Sequence, residues 1–158
     1  MQRVPITKEG YERMKSELQR LQKEERPNII RAIEEARGHG DLSENAEYEA
    51  AKDKQGLIEG RIMDLNDRIA HSEIIDPAEN VNDNGKVIFG RKVVMEDLET
   101  GEVTTYRLVG PYEADVQAGT ISVTSPLGKA LIGKEEGAEI TVRTPKGVRN
   151  LEILEVQQ

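Results

Sequence analysis

The chain has 158 residues, room for one ordinary domain or two small ones. Thirty acidic against 22 basic residues leave a formal net charge of -8, which argues against non-specific duplex binding by the whole surface. With 33% charged residues, 3% aromatics and no cysteine, the composition suits an extended helical element and excludes disulfides and thiolate metal sites. Neither the start, MQRVPITKEG, nor any later stretch has the apolar run of a signal peptide or of a membrane span of about 18 residues. A soluble, cytoplasmic protein without a membrane partner is expected.

Thr7 is placed to cap a helix. Behind it Tyr11, Met14, Leu18 and Leu21 step by 3, 4 and 3, the seam of a coiled coil. The seam continues less regularly through Ile29, Ile33 and Ala36, with Pro27 inside it. A proline there removes a backbone donor and collides with the preceding turn, so a kink or break is expected. Gly38-His39-Gly40 stops this helix. A second helical pattern runs from about Leu42 to Ile75 through Ala46, Ala50, Ala51, Ile58, Ile62, Leu65 and Ile69. The short connection predicts antiparallel neighbours, and arms of about 30 residues predict a rod of roughly 45 Å.

Past Asp76-Pro77 the apolar residues alternate in short runs between glycine turns, and Asn80 to Gly85 reads as a linker. Val93, Met95 and the run Val103 to Leu108 flank a hairpin signal at Glu99-Thr100-Gly101. Ile121 to Val123 alternates, Ser125-Pro126 opens a short helix from Leu127 to Ile132, and Gly133 ends it. Ile140 to Thr144 and Leu151 to Val156 bracket a turn at Pro145-Lys146-Gly147. The expected fold class is α+β: an antiparallel coiled-coil hairpin over residues 1–76, then a small antiparallel sheet domain with one short helix over residues 77–158. Each half carries a net charge of -4, with 13 basic and 17 acidic residues in the first and 9 and 13 in the second. Any nucleic-acid contact would therefore need a local cluster.

The informative stretch is GHGDLSENAEY, Gly38 to Tyr48, at the turn of the hairpin. Asp41 and Glu44 stand three apart at a helix start, where their side chains can share one face and offer oxygen ligands to Mg²⁺. Asp41-Leu42-Ser43-Glu44 is equally a capping box, and negative charge at a helix start is favourable in itself. Both readings stand, and they are compatible. Two exposed carboxylates hold Mg²⁺ weakly, because the ion wants six ligands, so a metal role needs most of the coordination from another molecule. His39 and His71 read as a loop residue and an exposed helix residue without metal-ligand company.

GDLSENAEY after RPNIIRAIEEAR, with PITKEGYERMKSEL before them and GKVIFG, ISVTSPLGKALIGK and TPKG after, resembles the GreA-type bacterial transcript cleavage factors. The likeness covers nearly the whole chain in order. It implies a protein that enters the secondary channel of a backtracked RNA polymerase and stimulates the polymerase to cut its own RNA 3′ end, with no nuclease activity of its own. It implies Asp41 and Glu44 as the catalytic acids, helping to hold an Mg²⁺ shared with the polymerase active site and not bound tightly by the free protein. Ser43, Asn45 and Tyr48 would shape the tip. Arg37 and Lys52 match positions near the RNA, Ser122 and Pro126 a polymerase-contacting loop, and the second domain is expected to be FKBP-like. The partners implied are the polymerase, at the channel and its rim, and the nascent RNA 3′ end, the free protein being a monomer. The competing readings are a Gre-like channel inhibitor without cleavage activity, a coiled-coil adaptor, and a prolyl isomerase. The last would need aromatic pocket walls, against one phenylalanine, Phe89, with Tyr106 and Tyr112.

Overall fold

The computed structural model describes residues 2–38, 42–76 and 85–157, with the side chains of residues 42–45 outside the description. Two compact units form: Tyr11–His71, and Met1–Gly10 together with Ser72–Gln158. The boundary thus differs from a division at Asp76-Pro77, because the first ten residues and Ser72 onward pack as one unit.

The first unit is a helical hairpin. One arm comprises α1 (Lys8–Arg20), a π-helical turn (Leu21–Glu25) and α2 (Arg26–Gly38); the other is α3 (Leu42–His71). Met14, Leu21, Ile29 and Ile33 of one arm and Ile58, Ile62 and Leu65 of the other are buried, with Leu65 at 0% exposure. Arg26 pairs with Glu59 while Arg37 lies over Tyr48, so partner numbers fall as the first arm advances, and the arms are antiparallel. The break expected at Pro27 takes the form of the π turn. There the Arg26 N–H donates to the Leu21 carbonyl, five residues back, and the proline enters where regular helical bonding has just been suspended. The second helix ends at His71, short of the expected Ile75.

Ser72–Ile74 instead forms β2, which pairs in parallel with β1 (Val4–Ile6). The Ile75 N–H adds a bond to the Ile6 carbonyl at 3.0 Å, and Ile6 is fully buried. The Glu113 carboxylate fastens this small sheet: it accepts from the N–H of Thr7 at 2.8 Å, from the Thr7 hydroxyl, and from the N–H of Gly110 at 2.9 Å. Thr7 in turn caps α1, its hydroxyl accepting from the Gly10 N–H at 3.0 Å. Glycine is required at position 110, where a Cβ would lie 1.9 Å from the Pro5 carbonyl oxygen, while a Cβ on Gly10 would lie 2.2 Å from Glu113 Oε1 and displace that side chain. Glu113→Ala leaves the Thr7 and Gly110 donors without their acceptor. It is expected to cost about 1–3 kcal/mol in a urea unfolding titration.

The same unit holds a five-stranded sheet in the order β5-β4-β3-β7-β6, from β3 (Lys92–Asp97), β4 (Val103–Val109), β5 (Thr120–Ser122), β6 (Glu139–Thr144) and β7 (Gly147–Gln157). One short helix, α4 (Pro126–Leu131), packs on it. Its core comprises Val93, Met95, Leu108, Ile121, Leu131, Ile140, Leu151 and Ile153, among others. The expected antiparallel sheet needs correction: β4 and β5 run parallel, Leu108 opposite Ile121. No tight hairpin joins them; residues 110–119, with a 3₁₀ turn at Val116–Ala118, carry the chain back to the start of the neighbouring strand. The other pairs are antiparallel, and the register of β3 on β7 shifts between Val94 and Met95.

Asp97, 7% exposed, closes the β3–β4 turn. Its carboxylate accepts from the N–H groups of Glu99 at 2.9 Å and Thr100 at 3.2 Å and from Arg149 Nε at 3.2 Å. The Glu99 N–H chiefly, then Thr100 and Arg149, hold its pKa below the usual 3.8 against the opposing effect of burial. A lowered folded-state pKa means that the stabilisation is fully present above the unfolded value and is lost as pH falls through the folded one. Acid titration of the melting temperature should therefore show a fall below about pH 4 that is shallower in Asp97→Asn.

Candidate functional site

The hairpin turn joins the end of α2 at Gly38 to the start of α3 at Leu42. Asp41 and His39 lie outside the described residues. Ser43, Glu44 and Asn45 lie in the first turn of α3, where backbone N–H groups are free of intrahelical partners and favour negative charge; their side chains are outside the description. Farther down, the Arg37 guanidinium sits 5.9 Å from the centre of the Tyr48 ring, a cation–π contact across the two arms. Lys52 follows Tyr48 by four residues, hence on the same face, and its Nζ donates to Gln55 Oε1 at 3.3 Å. Arg37 and Lys52 are both exposed. Tyr48, expected to shape the tip, makes this contact with Arg37.

Sequence reasoning missed the ion pairs that lock the arms together. Arg26 grips Glu59 through two bonds, at 2.8 and 2.7 Å, and Arg61 grips Glu17 through two, at 3.0 and 2.9 Å. Such forked pairs fix register as well as contributing energy. Hydrogen bonding from Arg61 is the main reason Glu17 titrates below its ordinary 4.5, and bonding from Arg26 does the same for Glu59. Opposite charges across a hairpin become visible only when the register is known. His71 Nδ1 lies 2.8 Å from the Asp67 carbonyl oxygen on its own helix. Among the described residues no group of three or more His, Cys, Asp or Glu side chains could hold a metal ion.

The second set of site residues belongs to the other unit. Ser122 ends β5. Its hydroxyl accepts from the Thr124 N–H at 3.0 Å and lies 2.6 Å from the Thr124 hydroxyl, while its carbonyl accepts from the N–H and hydroxyl of Ser125 at 3.0 and 2.6 Å. Ser125 caps α4 through the Gly128 N–H at 3.0 Å, with Pro126 at the first helical position. Ser122 and Pro126 are thus brought together on one loop, with Thr124 and Pro126 exposed. The loop depends on Gly128, where a Cβ would lie 2.1 Å from the Ser122 carbonyl oxygen. Gly128→Ala must push α4 off the loop, at an expected cost of about 1–3 kcal/mol measured by thermal unfolding.

Residues 4–74 match the family profile "Transcription elongation factor, N-terminal" of GreA and GreB, and residues 82–158 match "Transcription elongation factor, GreA/GreB, C-term". The chain belongs to the GreA/GreB family of transcription elongation factors. It is 73% identical over 157 residues to the transcription elongation factor GreA of Syntrophobacter fumaroxidans, covering 99% of both chains. To GreA of Thermodesulfovibrio yellowstonii it is 56% identical over 154 residues, 98% of this chain and 96% of the relative. Among solved structures, GreA factor homolog 1 of Thermus thermophilus matches at 32% identity over 99% of this chain and 100% of that one, with a TM-score of 0.45. No helix among the described residues is long and apolar enough to cross a membrane.

Proposed function

We propose that the protein inserts its hairpin into the secondary channel of bacterial RNA polymerase and stimulates the polymerase to cleave the RNA 3′ end in backtracked complexes, so that arrested transcription resumes. One observation carries the reading: the Asp41-to-Glu44 motif follows, in sequence, the end of α2 at Gly38 and leads into α3 of an antiparallel helical hairpin, in a chain matching GreA along 99% of its length. A two-carboxylate donor set fits an ion shared with another protein and is too small for a resident one. Asp41 and Glu44 would hold Mg²⁺ jointly with polymerase ligands. When bound, such an ion assists the attacking water and stabilises the displacement in a two-metal hydrolysis.

The remaining roles follow from chemistry. Ser43 and Asn45 shape the tip, and Tyr48 holds Arg37. Arg37 and Lys52 present positive charge toward the RNA phosphates, Arg37 with a fork suited to bidentate contact and Lys52 as a point charge. Ser122 and Pro126 form the polymerase-contacting loop of an FKBP-like docking domain, and the free protein is a cytoplasmic monomer. The test is to add purified protein to a stalled, backtracked polymerase complex. The reading expects release of a 3′ RNA fragment followed by renewed synthesis, and no cleavage when polymerase is omitted. Slowed synthesis without a fragment would mark a channel-blocking inhibitor instead.

A further inference from the structure

We infer that the π turn Leu21–Glu25 is a positioning element for the tip: it absorbs one residue of sequence and turns the outer half of the first arm back onto α3. The evidence is a phase shift in the buried seam. Tyr11, Met14, Leu18 and Leu21 step by 3, 4 and 3, a rhythm that would continue at residues 25, 28, 32 and 35. Ile29 and Ile33 are buried instead, with Ala36 half-buried, each one residue late. In an unbroken α-helix the eight residues from Leu21 to Ile29 rotate by about 800°, leaving Ile29 about 80° off the seam. A turn closed over five residues holds one residue more than an α turn, which takes up about 100° and restores Ile29 to within about 20° of Leu21. The bond from the Arg26 N–H to the Leu21 carbonyl is that wider closure.

Three further features support the correction. The facing arm has no matching irregularity, since Ile58, Ile62, Leu65 and Ile69 step by 4, 3 and 4, so the whole shift is absorbed in the first arm. The forked pairs Glu17–Arg61 and Arg26–Glu59 bracket the π turn and bind both its sides to neighbouring residues of α3. Pro27, directly after it, would collide with the Lys23 carbonyl if the segment relaxed to α geometry. The outer half ends at Gly38, so its rotation about the helix axis sets the direction in which the chain leaves the rod toward Asp41.

For its functional readout the inference rests on the cleavage activity proposed above. The experiment compares two single-residue deletions in full-length protein, each in a Pro27→Ala background: Lys23, inside the π turn, and Arg31, an exposed residue beyond it. Deleting Lys23 lets a plain α-helix carry the same seam; deleting Arg31 rotates Ile33 and Ala36 by about 100° relative to Ile29. The Lys23 deletion should melt no lower than the Pro27→Ala parent and stimulate cleavage within about twofold of it, whereas the Arg31 deletion should melt lower and lose about tenfold or more through misplacement of the tip. Failure of the Lys23 deletion to fold, a loss of cleavage as large as that of the Arg31 deletion, or an Arg31 deletion as active as the parent would each overturn the inference. If wild-type protein stimulates no cleavage, the proposed function fails. The order of the two melting temperatures then decides the phase correction alone: the Lys23 deletion melting higher supports it, and the reverse overturns it.

Discussion

Asp41→Asn combined with Glu44→Gln is expected to lower stimulated cleavage in backtracked complexes by about a hundredfold or more, with polymerase binding retained. Asparagine is a good N-cap and glutamine serves at the third helical position, so the capping box survives in chemistry while both charges are removed. What the helix loses is the favourable interaction of two carboxylates with its N-terminal dipole, about 0.3–1 kcal/mol each. A melting temperature within a few degrees of wild type together with a collapse in cleavage would assign the carboxylates to metal chemistry. Normal cleavage by the double variant would reduce them to helix caps.

Leu131→Ala should produce the largest loss of stability among single substitutions near the Ser122–Pro126 loop. Leu131 is on α4, is fully buried, and joins Val87, Leu108 and Ile153 in the core beneath the sheet. Truncation removes the transfer energy of the side chain and leaves a cavity whose walls, strand backbone and a capped helix, have little freedom to close. The expected cost is about 2–5 kcal/mol, visible as a fall of roughly 10 °C in the melting temperature. α4 also carries Pro126 and holds the Ser122 carbonyl through its cap at Ser125, so if this loop contacts polymerase as proposed, affinity for polymerase should fall alongside stability. Unchanged stability would mean that the sheet closes around the vacancy, and that the loop does not depend on the helix behind it.

Much of the hairpin was legible because a helix buries one face, and apolar residues record that face at intervals of three and four. Thr7 and Ser125 were read as caps from their chemistry, and both make the cap bond. Pro27 announced a local failure of helix bonding, but not its form. A proline signals the missing donor, whereas the π turn shows in the phase of Ile29 and Ile33, whose place in the seam is fixed only when burial shows which residues of the first arm carry it. β1 and β2 were missed because each has three residues and pairs with a segment some seventy positions away, a contact that no local pattern records. Glu113 was overlooked for the same reason: its partners Thr7 and Gly110 meet only in the folded unit. The parallel edge strand escaped because three alternating residues indicate a strand and say nothing of its direction. At the candidate site the acids and the basic residues stood out as residue types in an ordered motif. The stacking of Arg37 on Tyr48 needed the register of the arms.

On this reading the tip acids complete a shared ion site in the polymerase. Its most direct test is the rate of stimulated cleavage as a function of Mg²⁺ concentration, for wild type and for Asp41→Asn. If the carboxylate helps to hold the ion, the variant requires more Mg²⁺ to reach half its maximal rate, by about tenfold or more, and high Mg²⁺ restores part of the activity. A variant whose Mg²⁺ dependence coincides with that of wild type, at whatever maximal rate, would show that Asp41 does not help to hold the ion.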